Sequence, residues 1–355
     1  MTATSTLAMD PTIKDRRPLG ARRFGLTLVA GLLLLVLLVA WSVMIGTGDI
    51  SLGDAVRALL GRPSSRLDHT IVIRLRLPRA LVGVVAGGCL ALAGALSQAA
   101  TRNALASPDL TGVSAGVVFL TVVAVGFGPS WIYHPDDLLL SPWSVLVGAL
   151  GGAGAGALVL KLASQRKGDP VRLVLTGVIV GLLLATATSF VLMVWGSSAT
   201  LEASFWFIGS LNARVWPHWN VLWPWAAVLV PVALAGAGWA NLLQLGDDVA
   251  VSLGADARRA RAGLFVVSAT LTAGALVVVG SIGFIGLIGP HIARRLVGGD
   301  LRRVLPASLL AGAILLSAAD VGARAFTTRA LPTGTVTALL GAGFFLILLV
   351  RQRSR

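Results

Sequence analysis

Few side chains in this sequence could carry out acid–base, metal or nucleophilic chemistry. Asp320 and Arg324 are four residues apart, a spacing that pairs two side chains across one helical turn. We interpret them as a structural ion pair, with a proton relay as the alternative. His291 has no second histidine or carboxylate at metal-ligand spacing, so we expect no metal site. Cys89 is the only cysteine, which excludes an intrachain disulfide and a cysteine cluster.

The sequence also lacks a phosphate-binding loop. Such a loop requires a lysine directly after a glycine, in the pattern G-x-x-x-x-G-K-[ST]. The lysines are Lys14, Lys161 and Lys167, and none of them follows a glycine. We therefore expect that this chain is not an enzyme and binds no cofactor. An ATP-driven process would need a partner subunit that holds ATP and Mg²⁺.

The composition is that of a polytopic membrane protein. Of 355 residues, 56% are hydrophobic and 12% are charged, about half of the roughly 25% charge that soluble domains carry. The apolar residues form runs of about 20, the length that crosses roughly 30 Å of hydrocarbon as a helix. These runs are continuous rather than alternating, so they predict helices and not a transmembrane barrel.

The apolar runs predict about ten helical spans in one transmembrane domain over residues 24–350. The first run is too long for a signal peptide and has no clear cleavage site, so we expect it to be retained. Polar tails are predicted at residues 1–23 and 351–355. The predicted spans begin near Phe24, Leu81, Gly112, Trp143, Arg172, Val221, Arg261, Ile282, Pro306 and Thr335.

Charge placement predicts the orientation in the membrane. The net charge is +14, and most basic residues lie between the apolar runs on one side, which places both termini in the cytoplasm by the positive-inside rule. The exceptions cluster in the first and last outer loops. They are either solvated residues or a basic surface for an acidic partner. The cluster comprises Arg57, Arg62, Arg66, Arg74, Arg76 and Arg79, with Arg324 and Arg329 in the last loop.

Glycines recur at the spacing that lets two helices in lipid approach closely. Gly148, Gly152 and Gly156 are four residues apart, as are Gly83 and Gly87. We interpret both sets as helix-packing positions that carry no information about a substrate.

Several stretches, in order along most of the chain, resemble the FecCD family of ABC-transporter permeases. Together they run from about Arg74 to Arg351. The matching stretches are R-L-P-R at 76–79, N-A-L-A-S-P-D-L-T-G-V-S-A-G at 103–116, F-W-F-I-G-S-L at 205–211 with Trp216, L-G-D-D-V-A-V-S-L-G-A-D at 245–256, the segment 283–306, and Asp320 and Arg324 followed by L-P-T-G at 331–334.

The resemblance implies an all-α membrane protein of about ten transmembrane helices with the type II ABC importer architecture. It implies two permease copies, or a copy and a paralogue, with the pathway between them. Two cytoplasmic ATPase subunits and a periplasmic or lipid-anchored binding protein would complete the complex in the bacterial inner membrane. Ferric siderophores are the expected cargo, and cobalamin and haem remain open. Proteins of another class, namely a stand-alone secondary transporter and a membrane receptor or scaffold, are the alternatives.

The resemblance also implies roles for particular residues. Arg76, Arg79 and Arg324 match positions that dock the binding protein. Asn103 and Leu105 match the cytoplasmic gate, although Ala104 and Thr111 depart from the family pattern beside them. The ATPase coupling loop, at about residues 243–257, is predicted to form two short helices ended by glycines, and its matching positions are Leu245, Gly246, Asp247, Asp248, Ala250, Leu253 and Gly254.

Overall fold

The computed structural model describes residues 17–46, 51–62, 65–109, 111–127, 142–163, 170–195, 208–325 and 331–353, which form helices and no strand. The helices are α1 (Arg17–Met44), α2 (Leu52–Leu59), α3 (Arg66–His69), a π-helical segment (Thr70–Arg76), α4 (Leu77–Thr101), α5 (Val113–Phe127), α6 (Pro142–Ala163), α7 (Pro170–Trp195), α8 (Trp216–Ala235), α9 (Ala237–Gln244), α10 (Asp247–Ser252), α11 (Ala257–Val279), α12 (Ile285–Val297), α13 (Leu301–Ala325) and α14 (Thr333–Arg353).

Each of the ten predicted spans corresponds to a helix, namely α1, α4–α8 and α11–α14. Within the described ranges, six helices are long and apolar enough to cross a membrane, while α5, α6 and α14 contain shorter apolar stretches. The predicted short span is α12, which has 13 residues. α1 begins at Arg17, so part of the predicted tail is helical. The short helices α2, α3, α9 and α10 connect the spans.

α4 is the centre of the bundle. Every residue from Ala86 to Ala100 is buried, and α4 packs against α11, α12 and α13. A hydroxyl pair joins two of these helices, because the Ser97 and Ser268 oxygens are 2.8 Å apart and Ser268 also donates to the Ala93 carbonyl. Such hydrogen bonds hold helices together where lipid supplies no competing water.

The glycine spacing predicted close helix packing, and the structure confirms it for all of these glycines except Gly83, which faces Leu211 in the loop before α8. A Cβ added to Gly87 would collide with the Gly312 carbonyl of α13, and one added to Gly152 would meet the Val117 side chain of α5 at 2.8 Å. Gly148 likewise faces α5, where an added Cβ would lie 2.9 Å from the Thr121 hydroxyl. These glycines therefore set the distance between the helices.

Large apolar side chains cover the outside of the bundle. On α7, Leu183 and Met193 are 66% and 82% exposed, and α1 and α14 carry similar exposed residues such as Leu33 and Leu339. Surfaces of this kind are stable against lipid or another apolar partner and not against water. The pattern fits a protein embedded in a membrane.

The two ends of the bundle are named here after the aspartate that each contains. α1 ends, α4 begins and α13 ends at the Asp320 end, where Arg79 contacts Asp320. α4 ends and α11 begins at the Asp247 end, where Arg102 contacts Asp247. Arg79 and Arg102 are separated by almost the whole of α4, about 35 Å at 1.5 Å per residue.

Candidate functional site

At the Asp320 end, two arginines cap the C-terminus of α1. The last carbonyls of a helix have no partner within it. Arg76 donates from Nη1 to the Val43 and Met44 carbonyls, at 3.0 and 2.7 Å. Arg324 donates from Nη1 to the carbonyls of Ser42 and Ile45, at 2.9 and 2.8 Å. The negative end of the helix dipole favours both cations.

Asp320 joins four helices at this end. Arg79 of α4 contacts its carboxylate with two nitrogens, the closer at 2.7 Å. Arg324, one turn along α13, lies 2.8 Å from the other carboxylate oxygen. Thr333, the first residue of α14, donates a hydrogen bond of 3.2 Å. Since Arg324 also holds α1, this cluster ties α1, α4, α13 and α14 together.

The three arginines predicted to dock a binding protein therefore all have intramolecular partners. Arg76 is 5% exposed, and the side chains of Arg79 and Arg324 are 14% and 8% exposed. The docking role itself stays a prediction. Four other arginines of the first loop are exposed at the same end, on α2, α3, the π-helical segment and the loop between α2 and α3: Arg57, Arg62, Arg66 and Arg74.

A further arginine near this cluster was missed at the sequence level. Arg214, in the loop before α8, has its Nη1 3.0 Å from the His218 ring. Burial and the nearby charge of Arg79 lower the Arg214 pKa to about 10. The side chain still carries its positive charge at neutral pH, so the Asp320 end is strongly cationic.

At the Asp247 end, one short helix, α10, lies inside the predicted coupling loop, whereas α9 begins before the loop and ends as it starts. α9 ends at Gln244 and α10 spans Asp247–Ser252. Gly246 follows α9 with a φ of +109°, and Gly254 follows α10 with a φ of +80°. Residues with a Cβ rarely adopt these angles, which explains the glycines at both helix ends.

α10 has one buried side and one exposed apolar side. Ala250 is fully buried against the bundle. The residues that face outward from this helix and its flanks are largely apolar, and Asp248 beside them is also exposed. The exposed apolar residues are Leu245, Val249, Val251 and Leu253, with exposures between 44% and 62%.

Asp247 differs from Asp248 because its side chain turns toward the bundle. Its Oδ1 atom is 2.7 Å from Arg261 Nη2 and 3.4 Å from Arg102 Nη2. Arg261 also donates from Nε to the Ala100 carbonyl, near the end of α4, at 3.0 Å. The first turn of α10 is thereby attached to both α11 and α4.

The predicted gate residues lie directly after α4. Asn103 accepts a hydrogen bond of 2.9 Å from the Leu105 amide, which forms a local turn. Both side chains are half-buried. Thr111, one of the departures from the family pattern, is buried and donates to the Ser107 carbonyl at 2.9 Å. The turn is well bonded in a single copy of the chain, and the gate role stays a prediction.

Comparison with known proteins assigns the family. The FecCD transport family matches residues 33–351. The chain belongs to the FecCD transport family. It is 36% identical over 329 residues to the Fe(3+)-citrate import system permease protein YfmD of Bacillus subtilis (strain 168), covering 92% of this chain and 95% of the relative.

Two further comparisons bear on this FecCD permease. It is 35% identical over 331 residues to the hemin transport system permease protein HmuU of Yersinia pestis, covering 91% of this chain and 95% of the relative. A solved metal-chelate type ABC transporter in an inward-facing conformation superposes with a TM-score of 0.75 and 28% identity, covering 92% of this chain and 99% of that one. The chain is therefore a multi-pass membrane permease with the all-α fold that the sequence predicted.

The FecCD motifs also contain contacts that sequence reasoning did not assign. Gln98 accepts a hydrogen bond from Arg294 of α12 and contacts the Gly286 carbonyl at 3.5 Å. Asp109 accepts from the Ser114 hydroxyl at 2.7 Å and from the Phe284 amide at 3.2 Å. The first set of contacts joins α4 to α12, and the second joins the segment after α4 to the residue before α12. All of these residues except Gln98 lie inside the matching motifs, and that position was the only sequence signal.

The FecCD permease contains one cavity between α5 and α7 and another beside α9. One, of about 320 Å³ and mainly apolar, lies between α5 and α7 and is lined in part by Asp109 and Ser281. The other, of about 640 Å³, lies beside α9 at the Asp247 end and is lined in part by Trp239 and Asp300. A hydrogen bond from the Asn241 amide to Asp300 is the main cause that lowers the pKa of this aspartate, so it carries a negative charge there at neutral pH.

Proposed function

We propose that this chain is the membrane-spanning subunit of an ATP-driven importer that brings ferric chelates, foremost ferric siderophores, into the cytoplasm. The Fe(3+)-citrate permease of Bacillus subtilis, which aligns over 92% of the chain, supports this cargo class. The similarity to the hemin permease keeps haem as the second candidate, and cobalamin is the third. The cargo is a substrate that passes through, so the chain itself binds no cofactor.

The Asp320 end faces outward and the Asp247 end faces the cytoplasm in this proposal. The distribution of Lys and Arg supports the orientation, since short cytoplasmic loops are enriched in them. Both termini then lie in the cytoplasm of a bacterium, with the bundle in its inner membrane. A second copy or a paralogous permease completes the pathway, and Asn103 and Leu105 of each copy form the cytoplasmic gate.

The observation that carries the proposal is the apolar surface of α10. Leu245, Val249, Val251 and Leu253 are exposed on this short helix and its flanks, between the spanning helices α8 and α11 in the chain. An apolar patch in water is normally covered by a partner. A cytoplasmic ATPase subunit, carrying ATP and Mg²⁺, is the partner that an importer requires. Ala250 anchors the helix to the bundle, so a push on α10 reaches the spans.

The arginines at the Asp320 end receive an acidic binding protein. Arg57, Arg62, Arg66 and Arg74 are exposed there and would attract negative charge over about a Debye length. Arg76, Arg79 and Arg324 lie behind them, with their charges partly offset by Asp320 and by helix carbonyls. These three arginines contribute to docking through the electrostatic field of the cluster and through the small part of each side chain that is exposed.

The experiment is uptake of radiolabelled iron by cells that lack this gene, with and without the gene restored. Ferric siderophore and ferric citrate are supplied separately, and unlabelled haem and cobalamin serve as competitors. We expect uptake to fall on deletion, to return on restoration and to resist both competitors. Loss of haem or cobalamin accumulation with normal iron uptake would keep the importer and replace the cargo.

The same cells distinguish an ATP-driven importer from the other classes. A Gly254→Trp variant adds a large side chain to the coupling loop. It should reach the membrane and yet lose uptake. Uptake that survives without any ATPase subunit and follows the proton gradient would instead indicate a secondary transporter. Normal uptake in the absence of this chain would indicate a receptor or scaffold.

A further inference from the structure

The Asp247 side chain of the predicted coupling loop forms ion pairs with two arginines outside that loop. Its Oδ1 atom contacts Arg261 of α11 at 2.7 Å and Arg102, directly after α4, at 3.4 Å. Asp248 next to it is exposed, as a residue facing a partner would be. Two adjacent carboxylates therefore point in different directions, one toward the cytoplasm and one toward the spans.

The contact of Asp247 with Arg261 of α11 is supported by a second hydrogen bond from the same arginine. Arg261 places one nitrogen on Asp247 and another on the Ala100 carbonyl, at 2.7 and 3.0 Å. A cation at the C-terminus of a helix is favoured by the helix dipole, and the carboxylate offsets its charge. Arg261 thus fixes the position of the Asp247 carboxylate relative to the end of α4.

The contact on the α4 side reaches the predicted gate. Arg102 is the C-cap of α4 and adopts a left-handed conformation with a φ of 52°, which redirects the chain. The next residue, Asn103, accepts from the Leu105 amide and so holds the gate turn. One peptide bond therefore separates the ion-paired arginine from the gate turn.

The exposures of these side chains suit a contact that must change. Asp247 and Arg102 are 42% and 43% exposed, and Arg261 is 27% exposed. Ion pairs in such surroundings contribute little net stability because water competes for both partners. They can separate and form again without a large barrier, unlike a pair buried in the core.

We propose that Asp247 is a positioning residue that transmits displacement of α10 through Arg102 to the gate turn at Asn103–Leu105. Arg261 holds the Asp247 carboxylate in position while α10 moves. The inference rests on the proposed function, because it takes α10 as the surface that the ATPase subunit moves. It adds the physical link between that surface and the gate.

The test uses the complete complex of permease, ATPase subunit and binding protein in proteoliposomes. ATP hydrolysis and uptake of radiolabelled ferric siderophore are measured on the same vesicles, so that uptake per ATP is obtained directly. For Asp247→Asn and for Arg102→Gln we expect uptake per ATP to fall about fivefold. This is the lower end of the range typical of the coupling between two sites in one protein, about 5–150-fold. Hydrolysis continues, because the ATPase subunit and the α10 surface are intact.

The matched control is Arg258→Gln, which removes an exposed cation from the same helix as Arg261 and should leave uptake per ATP unchanged. Asp247→Glu keeps the negative charge, so its uptake per ATP should stay within about twofold of the wild-type value. If the link runs through the pair, the double variant Asp247→Asn with Arg102→Gln loses no more than either single variant.

Wild-type uptake per ATP in Asp247→Asn, or losses that add in the double variant, would overturn the link. A merely structural role would lower the amount of assembled complex and leave uptake per ATP unchanged, so this ratio separates the two roles. If the wild-type complex does not couple hydrolysis to uptake, the proposed function fails instead, and the two failures remain distinct. Should Asp247→Asn not assemble, Arg102→Gln carries the same test.

Discussion

Each end of the bundle contains one aspartate shared by two arginines, and the two clusters differ in burial. Asp320 is 3% exposed and contacts Arg79 and Arg324. Asp247 is 42% exposed and contacts Arg102 and Arg261. The shortest nitrogen–oxygen distance is 2.7 Å in both clusters. Burial, rather than distance, therefore distinguishes a fixed contact from one that can change.

The surrounding contacts support this distinction. Thr333 also donates to Asp320, and Arg324 is held by carbonyls at the end of α1. Loss of one partner there leaves a charge in a place without water. Around Asp247, water can replace any partner that moves away. We infer that the Asp320 cluster is fixed in the fold and that the Asp247 cluster can rearrange at low cost.

The largest effect should come from Asp320→Asn. Removal of one partner from a buried ion pair costs about 3–5 kcal/mol because the other charge is left uncompensated. We expect a clearly lower thermal midpoint for the purified permease in detergent and less protein in the membrane. Arg57→Gln, which removes an exposed ion pair with Asp54 at 3.8 Å, should change stability by less than about 1 kcal/mol. Equal midpoints for the two variants would contradict a rigid Asp320 cluster.

A smaller loss should follow Arg76→Gln. The Val43 and Met44 carbonyls would lose their donor near the end of α1, and a buried unsatisfied carbonyl costs about 1–3 kcal/mol. Unfolding in detergent should therefore begin at a lower temperature than in the wild type. Arg74→Gln is the control, since this arginine lies in the same π-helical segment and is exposed. If Arg74→Gln lowered the unfolding temperature as much as Arg76→Gln, the effect would come from the loss of positive charge and not from the lost hydrogen bonds.

Asp247→Asn should hardly change stability. All three side chains of its cluster are at least one quarter exposed, so the expected loss is within about 1 kcal/mol. The thermal midpoint of the variant should lie close to that of the wild type and well above that of Asp320→Asn. A midpoint as low as that of Asp320→Asn would mean that both clusters are structural.

The weakest effect should be that of salt. Raising ionic strength from 0.1 to 1 M shortens the Debye length from about 10 Å to about 3 Å. Hydrogen exchange should then become faster at the amides of Asn103–Leu105 and of α10, and stay unchanged around Asp320. Faster exchange at both ends would remove the contrast on which the comparison rests.

The sequence predicted the helices well because spanning depends on local hydropathy. Each predicted start lies in a helix or within a few residues of one, and the glycines at 246 and 254 flank α10, the one short helix inside the predicted coupling loop. α2, α3 and the π-helical segment were missed, since they are too short and too charged to form a span.

Side-chain partners were harder to predict. The Asp320–Arg324 contact follows from a spacing of four residues, and the structure contains it. Arg79 lies 241 residues from Asp320, and no local pattern in one sequence joins two such positions. The inward direction of Asp247 depends on where Arg261 lies after α11 has packed. The burial of Arg76 and Arg324 could not be predicted either, because it depends on α1 ending beside them.

The separation between Arg79 and Asp320 has a consequence for how the protein is made. The ribosome adds about 5–20 residues per second, so Arg79 enters the membrane on the order of tens of seconds before its carboxylate partner is synthesised. During that interval α1 and α4 can insert, but Arg79 has only water, lipid headgroups or an insertion factor as a partner in place of Asp320. A chain that stops before α13 would leave the Arg79 charge without its carboxylate, so we expect truncated products to insert less stably than the complete chain.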